Sequence, residues 1–302
     1  MIGRVSSFAE VSYLMTLNMK TETKLATAEA QESSGLQAQT YGGFSGDVSK
    51  VLNIDNQITA LTSDGANATT ALSSMQETYS TMGSITSLAT TMLSDLSSAM
   101  SATSDDTSSL STSAASWMSE LSSLLNTKYG GAYLFSGEAT TTAPVDTSSS
   151  SYDPTADPTA SDTGYYQGSD TGLSYTGSDG YTVSTSVQAD SAGFEKLFRA
   201  LSLVEASPSS SSTLSSAYDL IQEGSSEIGE QQANLADASA ALTNYQTDAS
   251  TKVTALTSLA SSLKDTDVAS ATVLVTSYQT QLEAAYSAVS KLSSVNLSQY
   301  LT

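Results

Sequence analysis

Residues 51–100 read VLNIDNQITALTSDGANATTALSSMQETYSTMGSITSLATTMLSDLSSAM. Val51, Ile54, Ile58, Leu61, Ala68, Leu72, Met75, Tyr79, Met82, Ala89, Leu93, Leu96 and Met100 fall in alternating steps of three and four, with Gly65 and Thr86 interrupting the apolar row. Such spacing keeps one stripe on one side of an α-helix and predicts a coiled-coil seam. At 1.5 Å per residue the stretch would extend about 75 Å, much longer than the three or four turns of an average helix. A helix of that length needs a partner along its whole stripe.

The partner is legible near the other end. Leu214, Ile221, Ile228, Leu235, Leu242, Ala249, Leu256 and Leu263 recur every seven residues. Between them Ala217, Ser225, Gln232, Ser239, Gln246, Val253 and Ala260 are mixed in character, which predicts a looser seam or one that admits water. KDTD at 264–267 offers a helix stop followed by a new N-cap. The last helix then carries Val268, Ala271, Val275, Tyr278, Leu282, Ala285, Val289 and Leu292 in the same stepping. An opening helix is broader in its pattern, with Val5, Phe8, Val11 and Met15 on one side and Leu14, Leu17, Leu25 and Ala28 on another. It closes at Gly35, suited to the left-handed position after a helix, and TYGGFSG at 40–46 reads as a flexible joint.

The middle of the chain differs. A shorter helix is expected from near Asp106 to about Leu125, and AYLFSG (132–137) reads as a strand after Gly130-Gly131. A Ser/Thr-rich loop follows, and GYYQG (164–168), GLSYTG (172–177) and YTVSTSV (181–187) read as short strands around turns such as Asp179-Gly180. Residues 193–207 return to helix. The expected fold is mainly α: a long antiparallel helical bundle built from both halves of the chain, with a small central β domain. The expected division is an inner terminal-helix domain (1–40 with 265–302), a long-helix bundle (41–138 with 191–264) and an outer β insertion (139–190).

Composition narrows function. The chain has 302 residues, a net charge of −21, and neither cysteine nor histidine. Thiolate and imidazole chemistry, disulfides and zinc clusters are therefore outside its reach. The acid excess argues against binding nucleic acid or anionic membranes. Only 14% of residues are charged, so serine and threonine supply most of the polar surface. The acids at Asp105-Asp106, Asp153/Asp157/Asp162 and Glu227/Glu230 do not match calcium-loop spacing and read as solvated surface. Trp117, Tyr165, Tyr166, Tyr175 and Tyr181 read as packing residues rather than a ligand platform. Neither a Gly-x-Ser-x-Gly elbow nor a phosphate loop ending in lysine occurs. No catalytic residue, cofactor or metal site is expected. The opening residues MIGRVSSFAEVSYLM lack an unbroken apolar core, a poor match to a secretory signal.

LATAEAQESSGLQ (25–37), GGAYLFSGEATTTAPV (130–145), GYYQGSDTG (164–172) with FEKLFRAL (194–201), and LEAAYSAVSKLSSVNLSQYL (282–301) stand in the order found in one family. With them the chain resembles the bacterial flagellin superfamily over residues 1–140 and 190–302, and within it the hook–filament junction branch, hook-associated protein 3. Leu36-Gln37 stand where members commonly have a basic residue, and Thr302 extends past the usual final leucine. The resemblance implies a secreted structural subunit of the flagellum, exported unfolded by type III secretion and guarded beforehand by a cytoplasmic chaperone at its C-terminal helix. It also implies contacts with hook-associated protein 1 and flagellin. Filament flagellin itself is the alternative reading, and a secreted coiled-coil effector a more remote one.

The tail VNLSQYLT (295–302) ends on apolar residues, where chains usually end polar. Val5, Phe8, Val11, Met15, Val268, Val275, Tyr278, Leu282, Val289, Leu292, Leu297, Tyr300 and Leu301 are accordingly the expected subunit-interface residues. Heterologous contacts through such stripes build rings or helical tubes, and each buried Val or Leu contributes about 1.5–3 kcal/mol.

Overall fold

The computed structural model describes residues 2–101 and 108–294. It is mainly helical. In chain order come α1 (Ile2–Ser34), a 3-10 turn (Tyr41–Asp47), α2 (Val48–Ser101), α3 (Ser108–Leu125), β1 (Lys128–Tyr129), β2 (Ala132–Tyr133), β3 (Ser174–Thr176), β4 (Thr182–Ser184), α4 (Ala192–Ala206), α5 (Ser211–Lys264) and α6 (Val268–Ser294). The strands form two separate antiparallel hairpins, β1–β2 and β3–β4. The chain divides into two compact units, Met1–Thr59 with Lys252–Thr302, and Ala60–Thr251.

In the first unit α1 packs against α6. On α6 the inward stripe is the one its spacing dictates: Ala271, Val275 and Leu282 are buried, and Tyr278, Ala285 and Val289 are half-buried. On α1 the inward stripe is Val11, Leu14, Asn18, Thr21, Leu25 and Ala28, again in steps of three and four. Two of its members are polar, which is why the apolar residues of α1 split between faces in the sequence. Gly35 closes α1 at φ +70°, with its amide donating to the Gln31 carbonyl at 2.8 Å.

The two chain turns of this unit are tied together. Leu36 bridges Asp265, the Gln37 amide donates to the Lys264 carbonyl (2.7 Å), and the Thr266 amide donates to the Gly35 carbonyl (2.8 Å). Asp267 then caps α6, accepting from the amides of Ala269 and Ser270. The Ser270 hydroxyl and these amides hold the Asp267 carboxyl below its usual range. The stretch after Gln37, expected as a flexible joint, is instead a 3-10 corner. Tyr41 donates to Asp55 at 2.9 Å, and Lys264 reaches the same carboxylate at 2.6 Å. A Cβ on Gly43 would lie 2.4 Å from the Ala38 Cβ, so this glycine serves a close approach rather than mobility.

The second unit holds the main core. Met75, Met82, Ile85, Met92 and Leu96 of α2 bury with Leu121 and Leu125 of α3, Phe194, Leu197, Phe198 and Leu201 of α4, and Leu214, Ile221, Ile228, Leu235 and Leu242 of α5. The α2 seam is not uninterrupted. After Met75 the buried row steps to Thr78, Met82, Ile85, Ala89, Met92 and Leu96, leaving Tyr79 exposed and Thr86 and Leu93 only half-buried. Alternate members of the stripe thus slip by one position, while Met82, Ala89 and Leu96 keep theirs. Gln232 and Gln246, two of the polar members of the α5 seam, donate to the α2 carbonyls of Tyr79 (3.0 Å) and Gly65 (3.2 Å), so they cross-link the pair directly. Where α4 crosses α5, a Cβ on Gly224 would stand 2.7 Å from the Gly193 carbonyl oxygen. Two glycines therefore let these backbones meet.

The β content is smaller than the alternation predicts. The expected strand at 132–137 pairs only over Ala132–Tyr133, after which Leu134, Phe135 and Ser136 turn inward and are buried. Phe135 meets Phe194 edge-on at 5.8 Å. The stretch 164–168 is not a strand: Tyr166 makes one bridge to Val145, and Tyr165 is buried against Phe198 with its hydroxyl donating to the Ala189 carbonyl. The Tyr165 ring is drawn to α4, while the Tyr166 hydroxyl donates to the Ser169 carbonyl, so the two do not alternate across a sheet. The expected pair at 172–177 and 181–187 does form, as β3–β4.

Candidate assembly surface

The interface residues expected from the sequence fall into three sets. Val275 and Leu282 are buried, and Tyr278 and Val289 half-buried, on the α6 stripe that packs with α1; Val11 is half-buried on the facing stripe. These side chains spend their apolar surface within the chain. Met15 and Val268 are exposed. Val5, Phe8 and Leu292 belong to α1 and α6 by backbone, their side chains being outside the described set, and Leu297, Tyr300 and Leu301 lie outside the described residues.

Closing the α1–α6 seam leaves further apolar residues in water. On α1 these are Tyr13 (65% exposed), Met15 (53%), Leu17 and Met19 (63%). Tyr13 and Leu17 stand one turn apart, as do Met15 and Met19, so α1 carries two short apolar strips outside its seam. On α6, Val273 (69% exposed), Leu274 and Tyr286 join Val268. Tyr286 donates to Glu22 across the helix pair, and this carboxylate raises the phenol's pKa. Isolated exposed apolar residues are ordinary; this many on one pair of helices are less so. The sequence reading overlooked Tyr13, Met19, Val273, Leu274 and Tyr286 as interface candidates. Their signal was being apolar yet off the seam.

The acids read as solvated surface and the aromatics read as packing residues are engaged in local structure. Asp153 and Asp157 each accept from the threonine two residues on, Thr155 and Thr159, in successive turns. Asp162 accepts from the amides of Asp153 and Gly164. Among the described residues no group of three acidic side chains could hold a metal ion, and no helix is long and apolar enough to cross a membrane. Trp117, Tyr165 and Tyr175 belong to the core. An ion pair that sequence reading missed, Arg199–Glu195 at 3.1 Å, is buried on α4 beneath the 153–163 loop, where Glu195 accepts the Asp162 amide.

Residues 212–301 match the model of the bacterial flagellin C-terminal helical region. Two of the solved structures that share the architecture are these. One is the crystal structure of FlgL from Bacillus cereus, at 17% identity and TM-score 0.53, covering 69% of this chain and 98% of that one. The other is a flagellar hook-associated protein from Vibrio parahaemolyticus, at 16% identity and TM-score 0.58, covering 71% and 96%. Residues 212–301 are thus similar to the flagellin C-terminal helical region, and the chain shares the fold of these two structures. No curated protein matches it in sequence. The matched region comprises α5 and α6, the latter holding Val268, Val273, Leu274 and Tyr286 of the exposed apolar residues.

Proposed function

We propose that the chain is a structural axial subunit of the bacterial flagellum, sited at the hook–filament junction, and that it polymerises through its terminal helices. The observation that carries this reading is the apolar surface left on α1 and α6 after their mutual seam is closed, on a chain with a flagellin-type C-terminal region. A helix pair that has satisfied its own seam and still shows Tyr13, Met19, Val273 and Leu274 to water gains by stacking against sister subunits. Val5, Phe8, Met15, Val268, Leu292, Leu297, Tyr300 and Leu301 extend that surface in the proposal, while Val11, Val275, Tyr278, Leu282 and Val289 support it from beneath.

Partners in this reading are other copies of the chain, hook-associated protein 1 and flagellin, with a cytoplasmic chaperone before type III export. The role is mechanical, with no turnover.

The branch is tested in a deletion strain by electron microscopy with antibody labelling of the complemented strain. Hooks that shed unassembled filament protein, with label in one band at the hook's far end, are expected. Label along the whole filament would overturn the junction assignment in favour of filament flagellin. Hooks and filaments unchanged by the deletion would overturn the axial role.

A further inference from the structure

The tip of the β3–β4 hairpin sits between the two long helices of the second unit, and its contacts there are polar and dense. Asp64 of α2 is buried, yet its carboxylate accepts three donors: the Ser178 amide (3.0 Å), the Ser178 hydroxyl and the Tyr245 hydroxyl from α5 (3.2 Å). Tyr175 donates to the Asp64 carbonyl at 3.0 Å. The Tyr181 ring stacks on Tyr245 at 4.6 Å, and Tyr175 meets the same ring edge-on at 5.7 Å. Gly177 makes the approach possible, since a Cβ there would stand 2.2 Å from the Tyr245 hydroxyl. One residue along α5, Gln246 donates to the Gly65 carbonyl and the Thr69 hydroxyl of α2.

We infer that this hairpin tip is a latch that fixes the register of α2 against α5, with Tyr245 as its positioning residue. Ser178 of the hairpin donates to Asp64 of α2, and Tyr245 of α5 donates to both Asp64 and the hairpin's Asp179, so the three elements are joined. Sliding one helix by a turn, about 5.4 Å, would strip the donors from a buried carboxylate together, which is costly. The latch is therefore closed or open, with no graded slip between. Burial alone would raise the pKa of Asp64, but the bonds from Ser178 and Tyr245 outweigh it and hold the carboxyl below its ordinary value. Burial and the Asp64 charge raise the pKa of Tyr245, so the phenol remains a donor well into the alkaline range.

The phenol has one proton and two carboxylate acceptors at equal distance, Asp64 and Asp179 (both 3.2 Å). Asp64 also takes both Ser178 donors, whereas Asp179 takes only the Tyr181 amide of its own turn. Asp64 is the anchor and Asp179 a secondary acceptor.

The test is hydrogen–deuterium exchange on the full chain and on Tyr245→Phe, which keeps the stacked rings and removes only the hydroxyl. Exchange is expected to rise tenfold or more together in 174–184, 60–70 and 240–250, with α3 and α4 unchanged. A rise confined to the hairpin, a uniform rise everywhere, or no rise would each overturn the latch. Asp64→Asn is expected to reproduce the three-segment pattern and Asp179→Asn to show it several-fold more weakly. Equal effects would sink the assignment of Asp64 as anchor.

Discussion

α4 in the second unit and α6 in the first are both amphipathic helices, but they end differently. From Gly193 to Val204 α4 has all but one residue buried, including the charged pair Glu195 and Arg199. α6 buries one narrow stripe and leaves Val268, Val273, Leu274 and Tyr286 exposed. The second unit closes its core within the chain, drawing on α2, α3, α4, α5 and the aromatic loops. In the first, the terminal helices α1 and α6 cover each other, and two helices offer only one mutual seam. Apolar residues beyond that seam are then available to other copies.

The contrast can be broken most severely in the closed unit. Phe198 is fully buried against Tyr165. Phe198→Ala should cost about 3–5 kcal/mol in the second unit's transition, read by urea denaturation followed by near-ultraviolet circular dichroism. A loss below about 1 kcal/mol would mean that this core is looser than its packing implies. A smaller effect is expected at Leu282, which is buried but sits in the two-helix seam of the first unit. Leu282→Ala should cost about 2 kcal/mol there and leave the second unit's exchange protection unchanged. If the second unit loosens equally, the two units are not separable in the way their packing suggests.

These two helices also mark what the sequence made legible. The α6 stripe, the end of α1 at Gly35 and the cap at Asp267 are local features, and each is where spacing and residue type put it. The slip in α2 near Thr78 was not legible, because a repeat of three and four describes one seam. It says nothing of a helix that acquires extra neighbours part-way along. Glu195 and Arg199, one turn apart on α4, look like an ordinary surface pair in sequence; only the folding of the 153–163 loop over them, through Asp162 and Pro158, makes them buried. The candidate surface was half legible for the same reason. Seam positions are periodic and easily named, yet they are the ones the chain covers itself. Exposed residues outside the seam, such as Met19 and Val273, do not continue its repeat.

Acid sharpens the comparison at a smaller scale. The Lys264 ammonium beside Asp55 is the main force lowering its carboxyl pKa, with burial opposing and Tyr41 assisting. A carboxyl whose pKa is lower folded than unfolded stabilises above its unfolded value, near 3.9, and that stability is lost as pH falls through the folded value. The first unit should therefore weaken from about pH 4 downward, and Lys264→Met should flatten this part of its profile. Asp64 belongs to the second unit and shifts in the same direction, so unit-resolved exchange is the measurement. An unchanged profile in Lys264→Met would show that the ion pair adds nothing to the corner.

The smallest expected change in stability separates the units best. Met19→Ser with Val273→Ser alters side chains that are 63% and 69% exposed, outside the α1–α6 seam. Surface changes of this kind usually move monomer stability by no more than about 0.5 kcal/mol. If those residues face water permanently, nothing else should change either. If they meet sister subunits, each copy loses apolar burial at every contact and the loss recurs along the assembly, so polymer should disappear from sedimentation runs in which the unaltered chain forms it. Phe198→Ala makes the converse control: a chain weakened internally, with its outer strips untouched, should still polymerise below its unfolding transition. Polymer retained by the double serine variant and lost by Phe198→Ala would place the assembly contacts on the closed unit and reverse the division of labour between α4 and α6.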